Sequence, residues 1–204
     1  MRQPGKGGGV LSAFAAKTLT DDMRILAICG SLRLRSSNRA LLLAARKHAP
    51  ANMDVEIFES IRDLPHFDPD MDRLDRDPED RPESVLRLRR ELATSDAMLI
   101  STPEYAHGLP GSLKNALDWL VSDPAMTGKP VALIYGSTGD ASYAQKQLME
   151  ILTTMSGVVV RDAILGVAGV RSKIDDSGTV SDPQLVLDIE SALRALEAFV
   201  RRKQ

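Results

Sequence analysis

"RILAICGSLRLRSSNRALLLAARK" occupies residues 24–47 and changes character twice. Arg24 to Cys29 is a short apolar run of strand type. Gly30 to Ser36 is polar and rich in Ser and Arg, and beyond it the apolar residues recur at helical spacing. A strand that passes through a tight polar loop into a helix is the opening of a βα unit. The rest of the chain repeats the alternation. Further strands are predicted at 54–58 (DVEIF), 97–102 (AMLIST), 130–135 (PVALIY) and 158–164 (VVVRDAI), and helices at about 37–49, 82–94, 110–122, 142–156 and 182–202. Five strands alternating with five helices predict an α/β fold, a doubly wound parallel sheet with helices on both faces. Runs as continuously apolar as these belong to strands covered on both sides.

Composition narrows the function. A chain of 204 residues, 43% hydrophobic and 26% charged, suffices for one domain with a sizeable core. The 26 basic and 28 acidic residues are mixed along the chain, for a net charge of −2, so no basic face points to nucleic acid or to a membrane surface. A small-molecule partner is expected instead. The single cysteine, Cys29, excludes an internal disulfide framework and suits a reducing, cytoplasmic setting. Apolar runs such as VALIY fall far short of the ~20 residues a membrane-spanning helix needs. Residues 1–22 lack a convincing secretory pattern and are expected to form a flexible tail ahead of a domain over 23–204; MRILAICGS from Met23 would be a natural beginning for the fold. The stretch LPHFDPDMDRLDRDPEDRP (64–82), with four prolines and many charges, is expected to be a long surface excursion.

In a doubly wound sheet the ligand lies outside the carboxyl ends of the strands, where the winding direction reverses. That brings together GSLRLRSSN (30–38), TPEYAHGLPGS (102–112) and GSTGDAS (136–142). The first has the chemistry of a phosphate site: Gly30 for a tight turn, hydroxyls from Ser31, Ser36 and Ser37, an amide from Asn38, charge from Arg33 and Arg35, and the positive end of the following helix. The same Ser-Ser-Asn also serves as an ordinary helix cap. Neither a dinucleotide G-x-G-x-x-G nor a P-loop is present. A rival use remains open. Cys29 and Arg35 are spaced as C-x5-R with Ser36 following, which resembles the thiolate loop of low-molecular-weight tyrosine phosphatases, and Asp182-Pro183 would supply its general acid. Leu32, Arg33 and Leu34 depart from that family's loop.

The second loop carries more. Pro103 and Gly108 shape the chain, Tyr105 is aromatic, and Pro110 opens an amphipathic helix with Leu113, Leu117 and Leu120; a flat heteroaromatic ring would fit beside it. Gly30, Ser31, Arg33, Ser36 and Asn38, joined to Pro103, Glu104, Tyr105, Pro110, Gly111, Leu113, Lys114, Asn115, Ala116, Asp118 and Trp119, resemble the G-S-x-R-x-x-S-x-N and P-E-Y…P-G-x-L-K-N-A-x-D-W patterns of the NAD(P)H-dependent FMN reductases. That flavodoxin-like family includes quinone, chromate and azo-dye reductases. The resemblance runs from Met23 to about Lys173, and LPHFDPD looks like the family's loop after the second strand.

The resemblance implies strand order 2-1-3-4-5 and an FMN site. Ser31, Arg33, Ser36, Ser37 and Asn38 would hold the phosphate. Backbone groups of Pro103, Glu104, Tyr105 and Ala106 would hold the isoalloxazine edge, with Gly136, Ser137 and Gly139 on the other side. Many members have Asn where this chain has Ala106 and Ser where it has Gly108, which removes a side-chain contact but leaves the Ala106 N–H. His107 is the nearest titratable group, either touching the donor or acceptor or merely solvated. Lys114 and Asp118 can pair at i,i+4, and Trp119 is expected between subunits of a homodimer or homotetramer. In the last helix Leu185, Leu187, Ile189, Leu193, Leu196 and Val200 form an apolar stripe.

The implied activity passes hydride from NADPH or NADH through FMN to a small electron acceptor, such as a quinone, flavin, chromate or azo compound, in a ping-pong cycle. Arg33, Arg35 or Lys146 would meet the donor's phosphates. No catalytic side chain and no metal are required. A flavodoxin-type electron carrier with poor NAD(P)H turnover is the alternative.

Overall fold

Along β1 (Met23–Cys29) Ile25, Ala27 and Cys29 join one hydrophobic cluster and Leu26 and Ile28 the other, so the strand is covered on both faces. The same alternation recurs in β3, where Ala97 and Leu99 oppose Met98 and Ile100. The computed structural model describes residues 22–73, 77–137 and 142–203. Within them follow α1 (Ser37–Lys47), β2 (Met53–Ile57), α2 (Glu83–Thr94), β3 (Ala97–Ser101), α3 (Gly111–Asp118), β4 (Pro130–Ser137), α4 (Ser142–Thr154), β5 (Val158–Ala168) and α5 (Pro183–Arg201). The expected tail falls almost wholly outside the described residues.

The five strands pair in parallel in the order 2-1-3-4-5, the α/β doubly wound, flavodoxin-like arrangement. One face packs on α1 and α5 through Leu41, Leu42, Ile189 and Leu193. The other packs on α2, α3 and α4 through Leu88, Leu92, Leu113, Leu117 and Leu148. Each such side chain contributes about 1.5–3 kcal/mol of burial. The chain leaves β1 outward to β2 and returns to β3 on the other side, so the switch point lies between the ends of β1 and β3.

Four expectations need correction. Strand β5 runs to Ala168, past a register shift opposite Val131 and Leu133 that interrupts the alternation on which its end was read. The helix predicted to 122 stops at Asp118, and Pro124, which cannot extend a helix, follows shortly. Trp119 is fully buried within the single chain: its Nε1 donates to the Pro65 carbonyl at 2.9 Å and its ring meets Phe67 edge-on at 5.1 Å. Leu187 is 55% exposed, because it lies two residues from Leu185 and on the other side of α5.

The excursion at 64–82 is also more than surface. Leu64 is buried, and so are Asp72 and Arg81, whose ion pair measures 2.7 Å. Arg89 of α2 reaches the same Asp72 oxygen at 2.7 Å and the Trp119 carbonyl at 2.7 Å, while the Ser122 hydroxyl donates to the other Asp72 oxygen at 2.6 Å. Burial alone would raise the Asp72 carboxyl. Hydrogen bonds from Ser122 and Arg81, with the charges of Arg89 and Arg81, outweigh it and hold Asp72 below its ordinary value.

Candidate functional site

A cleft of about 680 Å³ opens at the carboxyl ends of β1, β3 and β4, within the range typical of ligand pockets. Ser31, Arg33, Arg35, Ser36, Ser37 and Asn38 line one end, and Pro103, Glu104, Tyr105, His107 and Tyr143 line another. Two loops read separately from the sequence, with Gly136 at the start of the third, are thus brought to one place.

At the first end the backbone of α1 supplies donors. Ser36 is the N-cap, in extended conformation; its hydroxyl accepts from the Arg39 N–H at 3.4 Å and its carbonyl from the Ala40 N–H at 2.9 Å. The amides of Ser37 and Asn38 are left without an acceptor among the described residues, at the positive end of the helix. The Ser31 hydroxyl accepts from the Arg33 N–H at 3.3 Å, which shapes the loop. Arg33 and Arg35 are exposed at the rim, Arg35 opposite Asp176 at 3.6 Å.

Asn38 does something the sequence did not reveal. Its side chain is buried, and its Oδ1 accepts from the Gly136 N–H at 3.0 Å and from the Ser101 hydroxyl at 3.0 Å. Its Nδ2 donates to the Gly136 carbonyl at 3.4 Å. The amide therefore ties the start of α1 to the ends of β3 and β4. With Oδ1 engaged twice and Nδ2 once, the side chain is committed to the scaffold, and the polar backbone groups of Gly136 are likewise engaged. Gly136 lines the cleft, and a side chain there would strike Val170 at 2.8 Å. Ser137 closes β4, and Gly139 lies outside the described residues.

At the other end Tyr105 and Gly108 form an antiparallel bridge across the turn residues Ala106 and His107. The Tyr105 amide is taken by Gly108 at 3.0 Å, whereas those of Glu104 and Ala106 have no acceptor among the described residues. Ala106 itself does not line the cleft. Glu104 Oε2 accepts from the Ala144 N–H at 2.9 Å and so anchors the loop to α4. Tyr143, together with Gly169, Val170, Arg171 and Ser172 after β5, completes the wall. Sequence reasoning missed these residues because it ended β5 four positions early and searched only three loops; Gly169, at φ 61°, was the available turn signal. Lys146 does not line the cleft.

The phosphatase constellation is not assembled. Cys29 does not line the cleft, and burial pushes its thiol above the ordinary value despite hydrogen bonds with Ser31 and Ser36, opposite to what a thiolate nucleophile needs. Asp182 caps α5 through the Gln184 N–H at 3.0 Å and pairs with Lys173 at 3.2 Å.

The donor set suits one kind of ligand. Free helix-start amides, hydroxyls and guanidinium charge fit a phosphomonoester, and an aromatic mouth with free amides fits a planar heterocycle. Such a cleft at the switch point of this sheet order places the chain among the flavodoxin-like flavoproteins. More particularly, it belongs to the NADPH-dependent FMN reductase family, which matches residues 23–171.

The quinone reductase of Escherichia coli strain K12 is 31% identical over 189 residues, 90% of this chain and 98% of that protein. A 2-hydroxy-1,4-benzoquinone reductase of Burkholderia sp. is 30% identical over 188 residues, 89% of this chain and 98% of that one. Among solved structures, FerB of Paracoccus denitrificans, a flavoenzyme NAD(P)H:(acceptor) oxidoreductase, superposes with a TM-score of 0.78 at 30% identity, covering 88% of this chain and 98% of its own. The chain is thus an oxidoreductase that uses FMN with NAD(P)H as electron donor. No helix among the described residues is long and apolar enough to cross a membrane.

Proposed function

We propose that the cleft holds FMN with its phosphate on the Ser31–Asn38 loop and its ring beside Pro103, Glu104 and Tyr105, and that the protein is a ping-pong quinone reductase. The observation that carries this reading is the pairing, in one cleft, of the unspent Ser37 and Asn38 amides at one end with the Tyr105 and Tyr143 rings at the other. FMN supplies the redox chemistry: a flavin takes hydride from the nicotinamide and returns the electrons to an acceptor.

The chain's own residues bind and orient. Ser31, Ser36 and Ser37 hydrogen-bond the phosphate and Arg33 neutralises it, with Arg171 added from the loop after β5. The Glu104 amide meets the polar edge of the ring, and Gly136 bounds the opposite side. Asn38 positions the loop rather than holding the phosphate with its side chain. Donor and acceptor would use the same mouth of the cleft, so one leaves before the other enters.

Quinones are the acceptor class that the names of two relatives support. A cytoplasmic homodimer or homotetramer is also part of the proposal.

Steady-state kinetics with NADPH and a benzoquinone test it. Parallel double-reciprocal lines are expected; intersecting lines, which require a ternary complex, would overturn the shared-site reading.

A further inference from the structure

The turn after Tyr105 is built against its own backbone preference. Ala106 (φ 49°) and His107 (φ 59°) both adopt the left-handed region, in a two-residue hairpin turn of the kind that Asn-Gly fills readily. A β-carbon at each position costs stability, and strain of this sort gathers at functional sites. Here it delivers an imidazole to the mouth of the cleft.

That imidazole is held from two elements. Its ring meets the Tyr143 ring of α4 edge-on, with centroids 4.4 Å apart at 67°. Its Nδ1 lies 3.6 Å from Glu104 Oε1, and the second oxygen of Glu104 is fixed on the Ala144 N–H. Glu104 and Tyr143 are the titratable groups facing it among the described residues. The side chain is 73% exposed, and Nε2 has no protein partner among the described residues, so it is open to a ligand and to solvent.

We propose that His107 is a catalytic acid for the acceptor, giving from Nε2 the second proton of quinone reduction while Glu104 and Tyr143 align the ring. This rests on the reductase reading above. A quinone becomes a hydroquinone by taking up two electrons and two protons. Hydride, originating in NAD(P)H, brings both electrons and one proton, and the imidazolium brings the other to the second oxygen. The resulting neutral imidazole is protonated again from solvent.

The test uses holoprotein reduced anaerobically by NADPH and mixed rapidly with either para-benzoquinone or ferricyanide, which takes electrons and no proton. His107→Gln is expected to slow re-oxidation by the quinone about 10- to 100-fold, at the low end of general acid catalysis because water partly substitutes at an exposed site. Re-oxidation by ferricyanide should stay within roughly twofold.

FMN retention after desalting should be equal in both proteins. The His107 imidazole resonance of oxidised holoprotein, assigned by its loss in the variant, should shift when hydroquinone is added. Equal slowing with both acceptors, slowing with neither, or an unmoved resonance overturns the proposal. Wild-type flavin that NADPH does not reduce overturns the reductase reading itself, an outcome distinct from these.

Discussion

Asn38 and Ala106 show how differently single residues serve the cleft. Asn38 engages both the oxygen and the nitrogen of its side-chain amide with Gly136 and Ser101. Asn38→Ala leaves a buried amide and a buried hydroxyl without partners, which costs about 2–4 kcal/mol. Urea unfolding of the apoprotein should register that loss, and FMN affinity should fall because the α1 start and the β4 end lose their tie. At Ala106 the change runs the other way. Relief of the left-handed backbone is worth ~1–2 kcal/mol, and the added freedom of glycine in the unfolded chain returns ~0.4–1. Ala106→Gly should therefore stabilise by about 0.5 kcal/mol, visible as a small rise in the thermal midpoint. The sequence pointed to Asn38 as a site residue but not to its role, because an amide that caps, staples or binds phosphate leaves the same letter.

At the scale of elements, periodicity located the five strands and five α-helices of the described residues, and failure came where tertiary contacts override it. The segment 64–82 looked like solvent-facing loop, yet Asp72, Arg81 and Arg89 pin it beneath α2 and the end of α3. Charges a few to many residues apart carry no sign that they will be buried together. Asp72→Asn leaves two largely buried guanidiniums without their shared anion and should destabilise by about 3–5 kcal/mol in denaturant titration.

The pH dependence follows in sign. The folded carboxyl binds a proton less readily than the unfolded one. Its contribution is therefore complete above the ordinary carboxylate value of about 3.9 and drains as pH falls through the lower folded value. Stability curves of wild type and Asp72→Asn should converge in strong acid and diverge toward neutrality.

For the whole molecule, the doubly wound parallel sheet and the placing of the cleft followed from alternation and from the switch-point rule, whereas the strand order came from the family resemblance. Arg171 and Tyr143 did not, since they enter the wall only through the bulged β5 and the start of α4. A dimer or tetramer should appear in light scattering, and a monomer would contradict that part of the proposal. In the proposed function the α1-start loop is the phosphate cradle of an FMN site. Its most direct test is the FMN dissociation constant, from quenching of flavin fluorescence, set beside that of riboflavin, which lacks the phosphate. Binding of FMN at least about 100-fold tighter than riboflavin, with Arg33→Ala removing a large part of the difference, is predicted from charge-assisted contacts of ~1.5–3 kcal/mol each. Equal affinity for the two flavins would contradict it.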